Sequence, residues 1–224
     1  MTTGDGVTLP WVTSDLDLRE RRELCDLFDH LGATAPTLCG DWTTADLAAH
    51  LVVRERDPLG APGILISPLE GLTEKRMAAQ LAKHGFEGTV ERVRTGPPFG
   101  PMKIPAVRYA ANLVEFFVHH EDVRRANGGS RRGDRPDLDE ALWALLSRMA
   151  PLMVRRAKLG DLTLCLRTPT GKERVVGSKG DRVVISGPPG ELVLELYGRS
   201  PHADVSYEGP QAGVDVVRSA DFGI

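Results

Sequence analysis

In the stretch ANLVEFFVHHEDVRRA, residues 111–126, Glu115 stands four residues before His119, and on a helix such residues share a face. Leu113, Val114, Phe116, Phe117 and Val118 make nearly every side of this segment apolar, so part of the Glu115–His119 face must point into protein. A buried carboxylate is costly unless it meets a donor, a cation or a metal, and His119 alone is not enough. A third group is available upstream. His50 lies three residues after Leu47 and next to Leu51, which places it on the inward stripe of a helix. A His, a Glu and a His from two helices, with the remaining positions open to water or substrate, are typical of catalytic zinc or another divalent first-row ion. Asp122, at i+3 from His119, stands where an acid can orient the imidazole from behind; it reads equally simply as an acid on the helix surface. Taken singly, an E-x-x-x-H is most often a surface pair and a His on an apolar stripe a satisfied core residue. His30, His84, His120 and His202 receive that plainer reading, His120 pointing about 100° away from His119 on a helix.

The elements that must carry these groups follow from periodicity. Leu24, Leu27, Phe28 and Leu31 mark a first helix between Ser14 and Gly32, with Asp17 and Glu20 spaced as a capping box. A second begins at Thr43 or Thr44, carries Asp46, Leu47, His50, Leu51 and Arg54, and ends before Pro58. Residues 58–71, rich in Gly and Pro, are expected to be a loop. A third helix runs from Thr73, with Gly85 and Gly88 as the place for an interruption. After a loop over 96–105, residues 106–126 form the longest helix, closed by Asn127, Gly128 and Gly129.

The polar run GGSRRGDRPD, residues 128–137, fits a domain boundary. Beyond it Leu138, Leu142, Leu145, Met149 and Leu152 make another helical stripe, whereas LTLCLRT (162–168), ERVVG (173–177) and DRVVISG (181–187) read as alternating strands. ELVLELYGR, residues 191–199, suits a strand or a short helix equally. The expected architecture is α+β: a four-helix bundle over 1–130 and a small α/β domain over 136–224.

Composition excludes several classes. The 224 residues are 41% hydrophobic and 26% charged, which is a globular mix, and a net charge of −3 does not suit a binder of nucleic acid. No apolar stretch approaches the roughly 18–20 residues of a membrane span, and the first residues, with Asp5, lack the pattern of a signal peptide, so a cytoplasmic location is expected; with no heptad seam in the sequence, a monomer is the default. Cys25, Cys39 and Cys165 form no CxxC pattern and read as three free thiols. The 22 Arg against 6 Lys hint at a GC-rich genome.

Three blocks, CGDWTTADLAAHLVVRERDP (39–58), EFFVHHEDVRRA (115–126) and GELVLELYGR (190–199), resemble in order and spacing the mycothiol-dependent maleylpyruvate isomerase type of the DinB-like superfamily, a branch often described only as metal-binding proteins. The resemblance implies a DinB-like bundle holding a divalent metal through His50, Glu115 and His119, with Asp122 as the acid of the E-x-x-x-H-x-x-D pattern. It also implies a sterol-carrier-like second domain, with 191–199 a helix ending in Arg199, and Arg199 as a contact for thiol or substrate. Many family members place an aromatic residue before the Asp, where this chain has His120 and Glu121. The expected function is metal-dependent activation of a low-molecular-weight thiol, mycothiol, for transfer to or isomerisation of an electrophilic small molecule. Zinc is the first choice of ion, with nickel, iron, cobalt and manganese as alternatives. Two other readings are a non-catalytic metal- and ligand-binding protein, and a metal-dependent hydrolase using Asp122 or Glu121 as base.

Overall fold

The computed structural model describes residues 15–57, 70–133, 135–177 and 179–222, and the chain divides into two compact units, Met1–Gly128 and Gly129–Ile224. The structure is α+β. The residues read for a leader peptide, and most of those read as the 58–71 loop, lie outside the described residues. Among the described residues no helix is long and apolar enough to cross a membrane.

The first unit consists of α1 (Leu16–Leu31), α2 (Thr44–Arg56), α3 (Glu70–Thr95) and α4 (Pro105–Ala126), with a short 3-10 turn at Pro101–Lys103. Pairing of α2 with α3 and of α1 with α4 encloses a core of Leu24, Phe28, Leu47, Leu51, Val90, Val93, Phe116 and Val123. The start of α2 has a true capping box: the Thr43 side chain accepts from the Asp46 backbone, and Asp46 returns a bond to the Thr43 backbone. No such box forms on α1. Its N-cap is Asp15 with no side-chain cap bond, and Asp17 and Glu20 are fully buried instead. Asp17 meets Arg108 at 2.5 Å and Glu20 meets His120 at 3.0 Å, so tertiary contacts have claimed both acids. The interruption expected in α3 falls at Gly85, whose φ of 64° and ψ of −177° suit glycine alone. From Pro105, which fits a helix's first turn because its missing N–H has no intrahelical role there, α4 runs unbroken for 22 residues.

The second unit has α5 (Pro136–Ala157), β1 (Thr163–Arg167), β2 (Glu173–Val176), β3 (Arg182–Ser186), α6 (Pro189–Leu196), a 3-10 turn at Ser200–His202, β4 (Ser206–Glu208) and α7 (Gln211–Arg218). The sheet order is β2-β1-β3-β4, with β1 and β3 parallel and the outer pairs antiparallel. The expected alternation holds only at the edge strand β2. Consecutive residues of β1 and β3 are buried, because central strands covered on both faces need apolar side chains on both. The ambiguous segment 191–199 is helical as far as Leu196, stopping three residues short of Arg199, with Gly198 in the left-handed region at φ 76°. All of α6 is buried, including two acids: Glu191 accepts from the Asp204 backbone at 2.8 Å, and Glu195 from the Tyr207 hydroxyl at 2.5 Å. β4 and α7 were not anticipated from periodicity; each is short.

Candidate metal centre

The cap on α2 and the burial of Leu47 and Leu51 fix the rotation of that helix, so that His50 is carried inward and left only 6% exposed. The Trp42 ring lies against it, with centroids 5.1 Å apart and planes tilted by 50°. Because α4 is unbroken, Glu115, His119 and Asp122 occupy one face, at spacings of four and three.

His50, Glu115 and His119 come together. Oε1 of Glu115 lies 3.5 Å from Nε2 of His50 and 3.3 Å from Nε2 of His119, and the two imidazole centroids are 5.4 Å apart. One ligand atom from each of the three fits within a span of 4.8 Å. Ligands held about 2.0–2.2 Å from a tetrahedral ion are separated by about 3.3–3.6 Å. The Glu115–His119 and Glu115–His50 separations match that spacing. The fourth vertex has no protein donor from these three residues.

Asp122 sits behind. Its Oδ2 is 3.0 Å from Nδ1 of His119, which fixes the tautomer and directs Nε2 at Glu115. Burial pushes the pKa of His50 down, which favours the neutral ring. Glu115 is affected first by burial, which raises it; hydrogen bonds from His119 and His50 and the Arg54 charge outweigh that and hold it well below the usual carboxylate range. Burial likewise lowers His119, but its bonds to Asp122, Cys39 and Glu115 prevail and raise it well above an ordinary imidazole. Without a metal the centre is therefore a Glu115 carboxylate facing a protonated His119. An incoming cation must displace that proton.

Two site residues escaped the sequence reading. Arg54 donates from Nε to Oε1 of Glu115 at 3.0 Å, and is itself held by Asn112 at 2.8 Å and the Ala111 carbonyl at 2.7 Å. Its signal was available, since Arg54 follows His50 by one helical turn. Cys39 had only its nearness in sequence to the second-helix motif: it precedes α2 and reaches the centre by tertiary folding, donating from Sγ to Asp122 at 3.1 Å and lying 3.8 Å from Nδ1 of His119. Cys39, His119 and Asp122 thus form a second group of close ligand atoms on the other edge of the same imidazole, and Glu20, Glu23 and His120 form a third.

Other expected residues stand apart. Glu121, weighed as a base, is 1% exposed and gripped by Arg124 at 2.8 Å and Arg125 at 2.7 Å. His120 is a buried histidine satisfied by Glu20. Arg199 belongs to the second unit, where its guanidinium donates to the Tyr197 carbonyl at 2.5 Å just beyond α6. Compared with protein-family models, curated proteins and solved structures, the chain matches none.

Proposed function

We propose that this chain is a divalent-metal-dependent enzyme that activates a low-molecular-weight thiol, mycothiol by the sequence resemblance, for transfer to or isomerisation of an electrophilic small molecule. The observation that carries the proposal is the convergence of Nε2 of His50 and Nε2 of His119 on Oε1 of Glu115, with Nδ1 of His119 held from behind by Asp122. Zinc suits the donor set, and three protein ligands rather than four leave a coordination position for an exogenous group. Assignment to the mycothiol-dependent isomerase type, with a DinB-like first domain and a sterol-carrier-like second, belongs to the same proposal. It is supported by ligands on the second and fourth helices of the first unit and by the α/β composition of the second.

A bound divalent ion would supply one thing here, a lowered pKa for a coordinated thiol that is mostly protonated at neutral pH when free. The rest is done by the chain. Neutral His50 and deprotonated His119 offer lone pairs, and Glu115 offers its negative charge. Asp122 keeps the proton on Nδ1 of His119, so that Nε2 remains the ligating edge. Arg54 anchors the Glu115 carboxylate against rotation.

A non-catalytic reading also has an observation in its favour, because Arg54 and His119 neutralise Glu115 without any metal. Metal content of the purified protein, followed by titration of the cobalt-substituted form with mycothiol, separates the two. A charge-transfer band on thiol addition, and loss of metal in His50→Ala, are expected. Protein without metal, or a His50→Ala variant that keeps it, overturns the site; metal without a thiol band favours hydrolysis or a structural role.

A further inference from the structure

The imidazole of His119 has a second edge. Nδ1 of His119 and Sγ of Cys39 both reach Oδ2 of Asp122, at 3.0 and 3.1 Å, and lie 3.8 Å from each other. Donors on a tetrahedral zinc-sized ion, with sulfur about 2.3 Å and nitrogen or oxygen about 2.0–2.2 Å away, stand about 3.4–3.6 Å apart. The three separations bracket that range, so an ion can be seated with shifts of about half an ångström.

More than these three side chains holds the edge together. The Leu38 backbone donates to the Asp122 carbonyl at 3.2 Å, and Asn127, which follows α4, donates from its side chain to the Pro36 carbonyl at 3.0 Å. Thr37 accepts from the Cys39 backbone at 3.1 Å and donates to the Trp42 carbonyl at 2.8 Å. Gly40, at φ 63°, turns the chain directly after the cysteine. The segment carrying Cys39 is thus fastened to the end of α4, and the thiol is presented to Asp122 by its surroundings. Its plain role is to donate a hydrogen bond there. Two features point further. The thiol adds the sulfur that the His50–Glu115–His119 group lacks, and sulfur selects thiophilic ions. Once deprotonated it also adds a second negative charge: with the Asp122 carboxylate it neutralises a divalent ion, whereas Glu115 offers one charge that Arg54 already offsets.

We propose that Cys39, His119 through Nδ1, and Asp122 form a second metal position, selective for a thiophilic divalent ion such as cadmium, and that its filling excludes an ion from the His50–Glu115–His119 position. Entry of the ion releases two protons to solvent, one from Sγ and one from Nδ1, and leaves the third on Nε2. A neutral imidazole has one lone pair. With that pair used at Nδ1, Nε2 donates to Glu115 and no longer ligates. As a thiolate position this edge stands without the other. That its filling switches the other off rests on the function proposed above.

The test is titration of metal-stripped full-length protein with cadmium chloride, in a phosphine reductant and with no thiol added, so that any sulfur-to-metal charge-transfer band arises from the protein's own cysteines. One ion per chain is expected to give the band in wild type and in His50→Ala, which removes a ligand of the other position alone. Cys39→Ser should abolish the band and weaken cadmium by more than the roughly 10- to 100-fold that loss of an outer partner costs. Its melting temperature should stay at the wild-type value, because the new hydroxyl can still donate to Asp122. Wild type already loaded with cadmium should show no tetrahedral cobalt spectrum when cobalt is added. No band in wild type, a band that persists in Cys39→Ser, or one that disappears in a folded His50→Ala overturns the thiolate position. Cadmium and cobalt bound together, two ions per chain, overturn the exclusion. A cadmium band in wild type with no cobalt uptake by Cys39→Ser upholds the thiolate position and sinks the histidine centre. Cobalt uptake by both proteins with no cadmium band does the reverse.

Discussion

Oδ2 of Asp122 lies 3.0 Å from Nδ1 of His119, and the opposite nitrogen of the same ring, Nε2, lies 3.3 Å from Oε1 of Glu115. One imidazole is therefore held between two carboxylates of its own helix, each on a different edge. Asp122 is fully buried, so its charge is felt at short range and with little screening.

Replacing Asp122 by Asn removes that charge while conserving shape. Metal stoichiometry should be unchanged and affinity should fall about 10- to 100-fold, the usual cost of losing a partner behind a ligating His. Competition against a chromophoric chelator measures this. Wild-type affinity in Asp122→Asn would mean that His119 is oriented by something else.

The metal-free protein should carry a pH signature of His119. Its folded pKa is raised well above the ordinary 6.5, because bonds to Asp122, Cys39 and Glu115 outweigh the opposing effect of burial. A histidine of this kind contributes stability that is complete below its unfolded value and is lost as pH rises through the folded one. Glu115, held well below 4.5, behaves in the opposite sense: its share is present above 4.5 and disappears as pH falls through its folded value. In the presence of a chelator, the stability advantage of wild type over His119→Gln should shrink as pH climbs from 6 to 9. Thermal melts of both proteins across that range test it, and an advantage that widens with pH contradicts the assignment.

Arg21 should be among the most sensitive core positions. It is 2% exposed, engages both oxygens of Glu55, donates to the Val93 carbonyl at 2.6 Å, and places its guanidinium 4.3 Å from the Phe116 ring centroid. Arg21→Met strands a buried carboxylate, so urea unfolding should report a loss of about 3–5 kcal/mol. Combining it with Glu55→Gln should restore a large part, since the uncompensated charge is then gone. Additive losses in the double variant would show that packing of the Arg21 stem, and not charge pairing, sets the cost.

The three thiols should differ in reactivity. Cys25 is fully buried and its thiol is pushed up to about 12, chiefly by burial, so almost none is ionised at neutral pH. Cys165 is buried beside the Arg182 guanidinium at 3.0 Å. Cys39 is half-buried, the least enclosed of the three. Iodoacetamide followed by mass spectrometry should find one adduct on native protein, at Cys39, and three after unfolding. Metal affinity should drop on the singly modified protein, because the adduct breaks the contact with Asp122. Native labelling of Cys25 at a comparable rate would rule out the burial described for it.

Much of the candidate centre could be read before folding was known, because its residues lie on regular helices. A spacing of four puts Glu115 and His119 on one face whatever surrounds them, and the apolar neighbours of His50 say which way it turns. The cap at Thr43 and the break at Gly85 are equally local, one set by a side chain reaching the next turn and the other by a backbone angle. Asp17 and Glu20 mark the limit of such reasoning. Their spacing suits a cap, yet both acids are taken by side chains of α4, Asp17 by Arg108 and Glu20 by His120, because a buried carboxylate must be given a partner inside the fold.

Sequence alone thus determined the helical faces, the change to a sheet-bearing second half and the three residues with metal-ligand chemistry. Tertiary structure alone decided that Cys39 meets Asp122 across 83 residues of chain, that Arg54 braces Glu115, and that Arg56 and Arg92 line one cavity. Where periodicity left 191–196 open, it also decided for the helix that the family resemblance implies, by burying every side of it. The reason is common to all four. Periodicity reports which face of an element is apolar, but not which distant element will cover that face, and these partnerships exist only once the covering element is in place.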